Sequence, residues 1–217
     1  MQVVRKDDFM NHLMVLKREL DSDLKDGIVH GMLVSRLSGL LAKELGYDEE
    51  FCNEIKIAGM LHDIGKLKLT PYIYGRQDDT LQVEEMQYMR MHSTFSRDIL
   101  KEQGYSDTIL EAVYHHHENY DGSGYPHNLK GEDIPLGARI IRACDVFAAL
   151  VSDRPYREAF DIDTAMELMV DEVKNFDMNI FLAFQRVIYF EKFNDLVKYK
   201  LFDEKMLYEE LVQNDAP

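Results

Sequence analysis

His115-His116-His117-Glu118-Asn119-Tyr120-Asp121-Gly122-Ser123-Gly124-Tyr125-Pro126 packs three imidazoles, two carboxylates and a glycine turn into one short stretch. Neighbouring helical side chains diverge by about 100°, so adjacent histidines meet at one point only where a helix ends, and Asp121-Gly122 and Gly124 supply such an ending. A metal ion is a natural common point, because neutral imidazole binds first-row metals and carboxylates neutralise and bridge them. The rest of the chain must then fold as helices that bring further ligands to this end.

Working outward, Ser106 caps a helix whose core positions are Ile109, Leu110, Val113 and Tyr114. Upstream, a helix resuming near Leu81 carries His92, and Lys68 to Thr80, with Pro71 and Gly75, is expected to be a loop. A helix over Asp48 to Leu61 leads into His62-Asp63-Ile64-Gly65-Lys66. The periodic block from about Leu24 to Leu45 holds Asp26 and His30 one turn apart, with Gly46 as its stop. Downstream, a helix from Gly137 through Leu150 carries Asp145 on an apolar face, where a carboxylate must pair or bind metal. Further helices start near Asp163 and Asp177. Strand-type alternation is lacking, so the fold class is all-α.

The expected organisation is an N-terminal amphipathic helix within residues 1–22, a main domain over 23–193 and an acidic helical tail over 194–217. Hydrophobic residues make up 46%, enough for a core, and the net charge of −15 argues against broad, non-specific DNA binding. The two cysteines, Cys52 and Cys144, lie far apart in apolar helical patterns and read as buried thiols in a reducing cytoplasm. No hydrophobic run approaches the roughly 20 residues of a membrane helix. Each ligand candidate also has a plainer reading: Asp26/His30 as a surface pair, His62/Asp63 as a hydrogen bond at a helix end, and Arg154 and Arg157 as surface ion pairs.

Together His30, His62-Asp63, His92, His116-His117 and Asp145 form a pattern that resembles the HD-GYP branch of the HD-domain metal-dependent phosphohydrolases. His62-Asp63-Ile64-Gly65-Lys66 is similar to that family's HD-x-GK element, and His116 through Pro126 to its extended GYP signature. Asp145-Val146-Phe147 and Arg154-Pro155-Tyr156-Arg157 resemble two downstream elements in the expected order. The resemblance implies an HD-domain helical bundle with additional C-terminal helices, holding two or three metal ions, iron or alternatively manganese. It implies hydrolysis of cyclic di-GMP or a related cyclic dinucleotide, and signalling-protein partners met through the GYP loop.

Carried over by position, Asp63 would bridge two metals, with His62, His30 and Asp145 on one and His92, His116 and His117 on its neighbour; Asp26 would support a third ion. A metal pair activates water to hydroxide near neutral pH and clamps phosphodiester oxygens, so no side-chain nucleophile is needed. Lys66 would meet a phosphate oxygen, and Arg154 and Arg157 would fork onto a second phosphate or a guanine edge; Tyr125 belongs to the GYP loop, which the resemblance associates with cyclic dinucleotide use. Departures fall at Leu33, Ala148, Gln77-Asp78-Asp79 and Asn175-Phe176-Asp177-Met178, none of them a predicted ligand. The rival readings are a catalytically weak cyclic-dinucleotide-binding or protein-interaction module, and an HD phosphohydrolase acting on another nucleotide or a hybrid cyclic dinucleotide.

Overall fold

A computed structural model describes residues 26–73, 83–153 and 157–189. The expected helix within 1–22, the tail over 194–217, Gln77-Asp78-Asp79 and Arg154 lie outside these residues. The described chain is helical, with no strand among its elements. Helix α1 runs over 26–44, followed by α2 (Glu49–Leu61), α3 (Lys66–Ile73), α4 (Val83–Arg90), α5 (His92–Glu102) and α6 (Asp107–Tyr114). After a long loop come α7 (Leu136–Leu150), α8 (Ile162–Asp171) and α9 (Met178–Tyr189).

Capping chemistry sets several of these boundaries. Asp48 accepts from the Phe51 amide at 2.9 Å at the start of α2, and Ser106 accepts from the Ile109 amide at 3.4 Å at the start of α6. Gly46 ends α1 at φ +86°, a left-handed conformation that glycine adopts without penalty. The cap of α8 is Asp161, which accepts from the Thr164 amide at 2.9 Å, so that helix begins slightly earlier than the expected start at Asp163.

Two further expectations are corrected. Residues 66–73 form a helix in place of the expected loop: Leu69 is fully buried and α3 packs on α5, which outweighs the hydrogen bond lost at Pro71. The helix expected to run through His92 is instead two helices, α4 and α5, separated at Met91. His92 is therefore the first residue of α5.

Helix α7 is the axis of the core. Its Ile140, Ile141, Ala143, Cys144, Phe147 and Ala148 are buried against α2, α6, α8 and α9, and Phe147 meets Phe184 edge-on at 5.3 Å between ring centroids. Leu33 and Ala148, two of the noted departures, both lie in this core. Cys52 and Cys144 are free, buried thiols, and burial pushes Cys144 up to about 12. Among the described residues no helix is long and apolar enough to cross a membrane.

Candidate metal centre

Backbone contact builds the centre before any side chain does. In the turn after α2, a Cβ on Gly65 would lie 2.1 Å from the His92 carbonyl oxygen and 2.5 Å from the Ser96 amide nitrogen. Only glycine lets the turn carrying His62 and Asp63 approach the first turn of α5 this closely; the Gly65 amide then donates to Ser96 Oγ at 2.8 Å. Gly59 does the same for α1 and α2, with Ser35 Cα 3.0 Å from its would-be Cβ. His30 and His62 consequently stand with ring centroids 5.4 Å apart.

Three imidazoles are aimed by a shared device. Nδ1 of His62 donates to Gly59 O at 2.8 Å, Nδ1 of His92 to Met89 O at 2.7 Å, and Nδ1 of His116 to Val113 O at 2.6 Å. Each ring thus parks its proton on the carbonyl three residues earlier and turns the Nε2 lone pair inward. His92 Nε2 lies 3.3 Å from His116 Nε2 and 3.0 Å from His117 Nε2. With Nδ1 protonated on both His92 and His116, those two lone pairs repel unless a cation joins them. His62 Nε2 and Asp63 Oδ1 are buried without a hydrogen-bond partner, which also suits a cation.

The donors fall into two sets, Asp63/His92/His116/His117 and His30/His62/Asp145, each with ligand atoms within 4.8 Å of one another. Asp63 faces both. Its Oδ1 is 3.2 Å from His92 Nε2 and 4.0 Å from His116 Nε2, while its Oδ2 is 3.3 Å from His62 Nε2. Asp145 Oδ1 lies 3.0 Å from His30 Nε2 and 3.6 Å from His62 Nε2. Asp26 is exposed one turn before His30 and belongs to neither set.

Protonation matches the demand of a cation. Burial holds His92 and His116 below the usual imidazole range and takes His117 down to about 3, so these rings are neutral at pH 7. Burial opposes ionisation of Asp63 and Asp145 too, yet the histidines around both, joined by Lys66 at Asp63, hold the carboxyls well below their ordinary range. His62 is the exception: burial lowers it, but the two carboxylates overcome this and push it up to about 10. Two carboxylates so placed call for positive charge between them, from a proton on His62 or from a metal.

The loop after α6 closes over one side. Tyr125 stacks on His117 with centroids 4.6 Å apart, and its amide donates to His117 O at 3.2 Å. A Cβ on Gly124 would lie 2.3 Å from the Asn119 amide nitrogen and 2.4 Å from His117 O, so the fold-back requires glycine. Glu118, 1% exposed, accepts from the His127 amide at 2.7 Å and the Leu129 amide at 3.1 Å. This clamp follows from no spacing rule in the sequence. Glu118→Ala is expected to cost about 2 kcal/mol in denaturant unfolding by stranding two amides, with metal content retained. Unchanged stability would mean that water satisfies those amides.

The remaining candidates are placed differently. Lys66 Nζ lies 2.5 Å from Asp63 Oδ2 with its side chain half exposed, at the mouth of the cluster. Arg157 donates to the carbonyls of Ala149 at 2.9 Å, Leu150 at 3.0 Å and Glu158 at 2.6 Å, and lies over the Phe160 ring at 4.3 Å. In place of the free fork expected from the sequence, Arg157 ties its loop to the C-terminus of α7, whose last carbonyls have no helical partner. His115, buried and 3.3 Å from Glu111 through Nε2, is in neither donor set.

A family profile for the HD domain matches residues 14–180. The cyclic di-GMP phosphodiesterase response regulator RpfG of Xanthomonas campestris pv. campestris is 37% identical over 72% of this chain and 44% of its own length. The 3′3′-cGAMP-specific phosphodiesterase 1 of Vibrio cholerae is 36% identical over 77% of this chain and 38% of its own. The chain thus spans about two fifths of the length of these curated relatives. A crystal structure of a cyclic GMP-AMP-specific phosphodiesterase from V. cholerae aligns with TM-score 0.61 at 16% identity, over 82% of this chain and 48% of that one, which shows a shared fold. With the profile covering most of its length, and as the HD-GYP resemblance of its motifs leads one to expect, the chain belongs to the HD domain family.

Proposed function

We propose that the chain is a metal-dependent phosphodiesterase that hydrolyses a cyclic dinucleotide, cyclic di-GMP foremost, to linear pGpG or GMP. The observation that carries this reading is the pair of donor sets meeting on Asp63, one carboxylate oxygen turned to each. His30, His62 and Asp145 would hold one ion and His92, His116 and His117 the other, with Asp63 between them. Iron or manganese both suit this mixture of imidazole and carboxylate. Bound ions would supply water activation and Lewis-acid stabilisation of the phosphoryl charge.

The chain's own residues do the rest. Carbonyl-anchored His92 and His116 present neutral nitrogens without rearrangement, Lys66 offers a point charge to a phosphate oxygen at the mouth, and the Tyr125 ring covers His117. The kinship with a cyclic di-GMP phosphodiesterase and a 3′3′-cGAMP-specific phosphodiesterase supports a cyclic dinucleotide as substrate, with 3′3′-cGAMP as the alternative to cyclic di-GMP.

Metal analysis of anaerobically purified protein tests the reading together with turnover. About two ions per chain are expected, with linear dinucleotide or GMP formed from cyclic di-GMP and lost after chelation. A protein carrying both ions that binds the dinucleotide tightly without cleaving it would instead be a binding module.

A further inference from the structure

Two guanidinium groups stand along the loop after α6, one at Asn119 and one over Tyr125, neither with a carboxylate partner among the described residues. Arg142 lies on α7 three residues before Asp145, hence on the same helical face. Its Nε donates to Asn119 Oδ1 at 3.0 Å, a neutral acceptor two residues beyond His117. Arg90, the last residue of α4, lies with its guanidinium 5.2 Å from the centroid of the Tyr125 ring, the same ring that stacks on His117. Among the described residues neither arginine forms a salt bridge, whereas Arg97, Arg139 and Arg186 are each paired, with Asp98, Asp177 and Glu44.

That imbalance is informative in a chain with 40 acidic and 25 basic residues, where carboxylate partners are abundant. Unneutralised cations next to a cluster that itself gathers cations raise the energy of the site unless an anion joins them. Arg142 spends Nε on Asn119 and makes no other hydrogen bond among the described residues, which leaves its Nη atoms available to a phosphate.

We propose that Arg142 and Arg90 form an anion subsite beside the metal centre that takes the second, uncleaved phosphate of a cyclic dinucleotide. The subsite rests on the phosphodiesterase reading above, and it fills the role that the sequence assigned to Arg154 and Arg157. The phosphate under attack meets the metal cluster and Lys66; the other one needs its own cations, and a planar guanidinium held at one edge offers paired donors to it.

The test compares two substrates of the metal-loaded protein: cyclic di-GMP, with two phosphates, and bis(p-nitrophenyl) phosphate, with one. For Arg142→Gln the ratio of kcat/KM for cyclic di-GMP to that for the aryl diester is expected to fall roughly ten- to hundredfold, chiefly through KM, with a smaller fall for exposed Arg90→Gln. Arg142→Lys, which keeps the charge and loses the fork, should lie between. Calorimetric binding of cyclic di-GMP to chelator-treated protein should weaken for Arg142→Gln by the same factor. Equal losses on both substrates would make Arg142 a support for Asn119 and His117, and no loss on either would make its charge idle; both outcomes overturn the subsite alone. If the wild-type chain cleaves the aryl diester but no cyclic dinucleotide, the substrate reading fails and takes the subsite with it.

Discussion

Asp63→Ala is expected to remove both metal ions and abolish phosphodiester hydrolysis, whereas His30→Ala and His117→Ala are each expected to release mainly one. The difference follows from geometry. Among the described residues, Asp63 is the one with an oxygen facing each donor set, Oδ2 toward His62 and Oδ1 toward His92 and His116. His30 and His117 each lie in a single set. Removing Asp63 takes away a ligand from one set and the neighbouring negative charge from the other, and it leaves His92 and His116 facing each other without a carboxylate, while His62 keeps only Asp145. Metal content by elemental analysis reads the outcome directly, alongside the rate of cyclic di-GMP cleavage. Two ions retained in Asp63→Ala would sink the bridging assignment, even if activity were lost.

Gly65→Ala is expected to be the most damaging substitution that replaces no ligand. The added methyl would meet the His92 carbonyl oxygen at 2.1 Å and the Ser96 amide at 2.5 Å, both backbone atoms with no rotamer to yield. The turn and α5 must part, and the Gly65 amide loses Ser96 Oγ. A cost of about 3 kcal/mol in denaturant unfolding of the metal-free protein is expected, at the upper end of overpacking penalties. Metal affinity should fall as well, because the parting moves His92 away from Asp63. Gly27→Ala, with nothing within 4 Å of its Cβ on α1, serves as the control and should be neutral or slightly stabilising. Equal behaviour of the two variants would falsify the close-approach account.

The convergence of the candidate ligands was legible in the sequence because the physics behind it is local. A histidine or aspartate inside an apolar helical pattern announces itself, as at His62-Asp63, His92 and Asp145, and all seven non-Asp26 candidates fall into the two donor sets. Helix ends with side-chain caps, at Asp48 and Ser106, were equally readable. What failed depends on contacts distant in the chain. Residues 66–73 carry a proline and a weak pattern, and they are helical because Leu69 is buried and α3 packs on α5. The break at Met91 leaves no glycine or proline to mark it. The hydrogen bonds of Arg157 to the carbonyls at the end of α7 could not be read from its basic motif. Arg142, three residues before Asp145, is in sequence terms a single arginine in an apolar helix, and its setting depends on neighbours distant in the chain.

The glycines at 59, 65 and 124 bear on any attempt to transplant this centre. Copying the seven histidines and aspartates onto another helical bundle would reproduce the donor chemistry and miss the spacing. At Gly65 and Gly124 the tolerance is set by backbone atoms closer than 3 Å to any added methyl, and at Gly59 by one at that limit. A host scaffold must therefore be chosen for how closely its main chains can touch, with the side chains added second.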